Sequence, residues 1–125
     1  MKAIKRLPEA EFEVMKAVWA QQPPVTTGVI MTQIGRERGW KPQTLISLML
    51  RLVERGFLRT EKLGKERTYY PLVSREVYLR FETGNFVRQY HDSSLVNLVS
   101  TMYAGQALSD REIDELIAWA KQRRG

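Results

Sequence analysis

A chain of 125 residues, 43% apolar and 27% charged, has room for one compact domain with an appendage or for two small domains, and can bury a core. It has no cysteine and a single histidine, His91, which excludes disulfide frameworks, thiolate metal sites, thiol nucleophiles and any catalytic pair beyond that one imidazole. The formal charge of +6 suits a polyanion and is unevenly placed: residues 1–73 carry 13 Lys and Arg against 7 Glu, whereas residues 74–125 carry 7 basic and 7 acidic groups.

The start, Met1 to Pro8, lacks an apolar run of secretory length. Nowhere do about 18 uncharged apolar residues follow one another, so a cytoplasmic protein without membrane insertion is expected. Pro8 to Ala20 then reads as a first helix, with Phe12, Met15 and Trp19, joined by Val14 and Val18, on one side and Glu9, Glu11, Glu13 and Lys16 elsewhere. Gln21-Gln22-Pro23-Pro24 stops it. Val25 suits a short strand, and Thr26 or Thr27 can cap a second helix running to about Arg38, with Val29, Ile30, Ile34 and Met31 inward and Gly39 at its end.

Pro42 fits the first position of a third helix that Gly56 closes. Leu45, Leu48, Met49, Leu52 and Val53 form its inward stripe, leaving Gln43, Thr44, Ser47, Arg51 and Arg55 on or near the other side. From Phe57 to Leu72 the composition turns aromatic and β-branched around a Gly64-Lys65 turn, which predicts a hairpin with Lys62, Lys65 and Arg67 at its tip. Such a hairpin has to lean on the helices to be stable. The fold class expected is therefore mainly α with a small antiparallel β wing: a winged helix-turn-helix domain over residues 1–73.

Past Ser74 helical spacing returns. Residues 74–125 read as a helical dimerisation domain, because so few residues with so much apolar surface need a second copy to complete a core. Phe81, Phe86, Tyr90, Leu95, Leu98, Val99, Met102, Leu108, Ile113, Leu116 and Ile117 are its candidate interface residues. Ser109 and Glu112 have the spacing of a capping box at the start of the last helix.

The first turns of the third helix offer Gln43, Thr44 and Ser47 to base edges, with Lys41 and Arg51 at their flanks, while Lys62, Lys65 and Arg67 of the hairpin reach phosphate or the minor groove. These eight residues are the candidate contacts to double-stranded DNA. Trp19 and Trp119 are read as packing residues, as is Trp40, and Tyr69 as structural; His91 is given no role. No nucleophile, base and orienting partner cluster, so no enzyme, cofactor or metal is expected. RNA binding is disfavoured because the helix offers no exposed aromatics for stacking. The alternative is a winged-helix protein-interaction scaffold that does not bind DNA.

Four separated stretches carry a resemblance. The run Leu7-Pro8-Glu9-Ala10-Glu11-Phe12-Glu13-Val14-Met15-Lys16-Ala17-Val18-Trp19, then Trp40-Lys41-Pro42-Gln43-Thr44 leading to Leu50-Arg51-Leu52, then Gly64-Lys65 with Tyr69 and Pro71, and finally Leu108-Ser109 with Glu112-Ile113-Asp114-Glu115-Leu116, together resemble the penicillinase-repressor family, which includes the β-lactamase and methicillin-resistance repressors. The resemblance implies a homodimeric winged-helix repressor on a palindromic operator overlapping a promoter. It also implies a membrane sensor-protease pathway that cuts the dimerisation helices, commonly between Asn and Phe. The matching positions here are Thr101 and Met102, a departure that counts against cleavage at this bond and against β-lactam induction. The copper-responsive members carry C-terminal cysteines, which this chain lacks. Lys41 stands where Ser or Thr is usual and Gln43 where Lys is usual, so a different operator sequence is implied, whereas Pro8, where a capping Ser is usual, is a structural substitution only.

Overall fold

The first helix, α1 (Glu9–Trp19), forms where the apolar spacing places it and turns Val14, Met15, Ala17 and Val18 inward. The computed structural model of the protein describes residues 3–124. A short strand, β1 (Val25–Thr26), follows, and Thr26 caps α2 (Thr27–Ile30) by accepting a hydrogen bond from the Val29 N–H at 3.3 Å. The helix then widens into a π-helical stretch over Met31–Gly35, with the Arg36 N–H donating to the Met31 carbonyl. This short segment buries one narrow stripe. Ile30 and Gly35 lie on it, with Ile34 and Met31 packed against the core, and Val29, expected inward, is exposed instead.

Helix α3 (Pro42–Glu54) has proline in its first turn, and Gly56 follows its end with φ of 82°. The backbone then changes to β2 (Leu58–Leu63) and β3 (Glu66–Pro71), joined by Gly64-Lys65, where Gly64 takes the left-handed φ of 64° that so tight a hairpin requires. The hairpin expected from the sequence is one part of a three-stranded antiparallel sheet in the order β1-β3-β2, because Val25 and Thr26 pair with Tyr69 and Thr68. Helix, helix, helix and a sheet whose last two strands project as a wing make a winged-helix fold.

Leu45, Met49 and Leu52 of α3 pack with Val14 and Met15 of α1, Ile30, Phe57 and Tyr69 in one apolar core. Each such side chain withdrawn from water stabilises the fold by about 1.5–3 kcal/mol. Two polar residues join that core. Glu11, expected on the outer side of α1, is 1% exposed and faces Arg55. Tyr78, from the helix α4 (Arg75–His91), is fully buried, and its ring lies 5.4 Å from that of Phe57 and 5.7 Å from that of Phe12. Its hydroxyl accepts from the Leu7 N–H at 2.8 Å and donates to Glu82 Oε2 at 2.9 Å. Val77 is exposed, and the inward position beside it belongs to Tyr78, whose hydroxyl finds two partners there.

The chain divides into two compact units, Met1–Glu82 and Thr83–Gly125. Residues 74–82, assigned from the sequence to the C-terminal part, thus belong with the first unit, because Tyr78 and Phe81 pack on its core. Trp19 Nε1 adds a tie by donating to the Val73 carbonyl at 2.9 Å.

The second unit holds the end of α4 with α5 (Leu95–Ala104) and α6 (Asp110–Arg124). Ser94 caps α5 by accepting from the Asn97 N–H at 3.0 Å. The capping box of α6 is formed: the Glu112 N–H donates to Ser109 Oγ at 3.2 Å, while Glu112 Oε1 accepts from the Ser109 N–H and hydroxyl at 3.0 Å. Those two hydrogen bonds hold the Glu112 carboxyl below its ordinary pKa. His91 is buried beside Phe86, with Nδ1 2.6 Å from Asn97 Oδ1, a packing role in the joint between α4 and α5. Among the described residues no helix is long and apolar enough to cross a membrane.

Candidate nucleic-acid interface

Lys41 occupies the cap position of α3 with an extended backbone and is exposed. Gln43, Thr44, Ser47 and Arg51 are all exposed, as the apolar spacing requires once Leu45, Leu48, Met49 and Leu52 are buried. Three side chains with hydrogen-bonding ends and one guanidinium therefore project from the same face. Arg55, expected near that face, is withdrawn from it. Its Nε lies 2.6 Å from Oε1 of Glu11. Ile46 and Leu50, which were not assigned to any face by the sequence, are exposed beside Gln43.

On the hairpin Lys62 stands directly across from Arg67, and Lys65 sits in the turn. By strand alternation Lys62 and Arg67 share the sheet face of buried Leu58 and Tyr69, but both lie near the tip and are exposed. Like charges placed opposite each other destabilise a sheet slightly, so this pairing is one that a polyanion offsets. Arg67 Nη1 donates to Thr60 Oγ1 at 3.5 Å. Tyr70, on the other face, lies beneath the Arg59 guanidinium at 4.1 Å from the ring centre, and Arg59 also pairs with Glu61.

The ion pairs sort the cations of the first unit into two sets. Lys16 and Arg38 both engage Glu13, at 2.9 and 3.0 Å, and hold its carboxyl below the usual range, the Lys16 hydrogen bond contributing most. Arg6, Arg55 and Arg59 have carboxylate partners as well. Among the described residues no ion pair involves Lys41, Arg51, Lys62, Lys65 or Arg67. Lys5, Arg36, Arg75 and Arg80 are likewise outside the ion pairs, and what distinguishes α3 and the wing is that five such cations, all exposed, stand on these two elements or at the cap of α3.

The other expected residues fall in several places. Phe81 packs on the core of the first unit, 6.2 Å from the Tyr78 ring, and is shielded within its own chain. Phe86, Tyr90, Leu95, Met102 and Ile117 are exposed, whereas Leu98, Val99, Leu108, Ile113 and Leu116 are half-buried. The second unit also exposes Val96, Tyr103 and Trp119, none of which the spacing singled out as interface residues. Thr101 and Met102 are exposed inside α5, where the Thr101 hydroxyl donates to the Asn97 carbonyl at 2.9 Å.

A model of the penicillinase repressor family matches residues 7–122. The chain belongs to the penicillinase repressor family. This is a family of repressors, not of enzymes. The penicillinase repressor of Bacillus licheniformis is 28% identical to this member over 116 residues, covering 93% of this chain and 90% of that protein. The methicillin resistance regulatory protein MecI of Mammaliicoccus sciuri is 32% identical over 108 residues, covering 86% of each. The solution structure of the DNA-binding domain of the repressor BlaI matches with a TM-score of 0.54 at 31% identity, covering 62% of this chain and 94% of that domain. Monomeric BlaI of Bacillus licheniformis in complex with the blaP half-operator matches with a TM-score of 0.51, at the same identity and coverage.

Proposed function

We propose that this penicillinase repressor family member is a homodimeric transcriptional repressor that binds a palindromic operator in double-stranded DNA. The observation that carries the proposal is the exposed outer face of α3, where Gln43, Thr44 and Ser47 lie between Lys41 at its cap and Arg51 in its last turn, two cations without a carboxylate partner among the described residues, as are Lys62, Lys65 and Arg67 of the wing. A relative of the same fold, BlaI, was solved with a half-operator, which supports the same use of this surface. Gln43, Thr44 and Ser47 meet base edges in the major groove, and Gln43 can bond adenine N6 and N7 together. Lys41 and Arg51 flank them on phosphate, and Lys62, Lys65 and Arg67 of the wing hold the adjoining backbone or minor groove.

Dimerisation falls to residues 83–125. Helices α5 and α6 contain no buried residue among those described, and Leu95 and Val96 are 62% and 75% exposed. A second copy of the same surface supplies the missing burial, and its symmetry accounts for a palindromic site. Such a repressor works in the cytoplasm. Release by a sensor-protease pathway at Thr101-Met102 requires that bond to leave its helix first, since a protease takes an extended segment.

The test is binding of fluorescent duplexes by the full chain as salt is raised. With about 6–10 phosphate contacts the affinity is expected to fall on the order of 10³–10⁵-fold between 50 and 200 mM salt. A salt-insensitive response contradicts DNA binding and leaves a protein-interaction scaffold.

A further inference from the structure

The outer face of α3 is not wholly polar. Ile46 and Leu50 are 37% and 47% exposed, although Leu45, Leu48 and Met49 around them are buried. They lie one turn apart. At about 100° per residue they occupy the flank of the helix beside Gln43, while Thr44 and Arg51 occupy the other flank. Two aliphatic side chains are far too little for a protein interface, which requires roughly 1,200 Å² of buried surface. Hydrogen-bonding Gln43 and Ser47 lie next to them on the same face. Glu54, exposed at the C-terminal end of the helix, repels phosphate and confines contact to the turns that contain the pair.

A ligand that satisfies this face must present hydrogen-bonding edges, negative charge and small apolar groups within one helical turn of one another. The major groove of a duplex does so, and its apolar group is the thymine 5-methyl. We infer that Ile46 and Leu50 read thymine methyl groups in the operator and are specificity-determining residues of this chain, an assignment that rests on the duplex-DNA function proposed above. An adenine-thymine step is then recognised from both strands, by Gln43 on the adenine edge and by Ile46 or Leu50 on the thymine methyl.

Binding sites are selected from a random duplex pool with the full chain, and each thymine of the selected site is replaced in turn by deoxyuridine, which removes the methyl and keeps the base pair. The unsubstituted protein is expected to lose about fourfold in affinity at one or more positions, the equivalent of about 0.8 kcal/mol for one buried methyl-sized group. Ile46→Ala or Leu50→Ala is expected to bind the thymine site more weakly by a similar factor and to lose discrimination against deoxyuridine at its own position. Both residues are exposed, and affinity for an unrelated duplex serves as an internal control on folding. Indifference of the unsubstituted protein to demethylation at every position overturns the assignment, as does a full thymine preference retained by both variants. If no duplex is enriched and binding ignores salt, the DNA-binding function itself fails, an outcome distinct from the loss of methyl reading alone.

Discussion

Arg55, at the C-terminal end of α3, closes on Glu11 of α1 across a sequence separation of 44, with Nε 2.6 Å from Oε1 and Nη2 3.4 Å from Oε2. The Glu11 side chain is almost fully enclosed while that of Arg55 reaches solvent, and among the described residues it is this guanidinium that pairs with the carboxylate. The pair clamps the end of α3 to α1. Arg55→Leu strands a buried charge and is expected to lose about 2–3 kcal/mol of stability. The double variant Glu11→Leu with Arg55→Leu is expected to recover much of that loss, because both partners are then apolar. Urea denaturation at neutral pH measures both; equal losses in the two variants contradict a stranded carboxylate as the cause.

Tyr78 makes a second long-range tie. Its hydroxyl accepts from the Leu7 N–H, so Tyr78→Phe leaves a buried donor unsatisfied and is expected to lose about 1–3 kcal/mol. Burial pushes its pKa from the ordinary 10.0 up to about 12, with the Glu82 carboxylate adding to the rise. The folded state therefore holds the phenolic proton more tightly than the unfolded chain. The resulting stability is full below pH 10 and is lost as pH climbs through about 12. Denaturation series across that window are expected to fall more steeply for the unsubstituted protein than for Tyr78→Phe; parallel curves remove Tyr78 as the cause.

On DNA, Arg51→Ala and Lys65→Ala are expected to weaken selected and random duplexes alike, each lowering the slope of log affinity against log salt by about one. Gln43→Ala is expected instead to reduce preference between sequences, by about 1–3 kcal/mol at the base it reads. Titrations on matched and mismatched duplexes at several salt concentrations separate the two behaviours. A uniform loss for Gln43→Ala rules out base reading by that residue.

Association is tested best at residues that contribute nothing to the protomer. Leu95 and Val96 are strongly exposed, so Leu95→Asp and Val96→Asp leave each chain folded and are expected to shift a dimer toward monomer in sedimentation velocity. Leu98 and Leu116 are half-buried, and polar substitution there also removes packing within the chain. An unchanged dimer in both Asp variants, with helix content intact, excludes that surface from the interface.

Much of this protein was legible in its order of residues, because the signals involved are local. Pro42 and Gly56 bound α3 through their own backbone preferences, Ser109 and Glu112 start α6 with groups three residues apart, and the apolar period marks the buried side of each helix. Net charge is additive, so the basic first part could be counted without knowing where any side chain goes. What each inward or outward position meets is another matter. Glu11 and Arg55, Leu7 and Tyr78, and the short strand β1 with β3 come together only when distant segments pack, and periodicity within one helix carries no record of what lies across from it. The same packing decided which cations found carboxylates and which were left facing outward, and it left Ile46 and Leu50 on the exposed face of a helix whose core was already full.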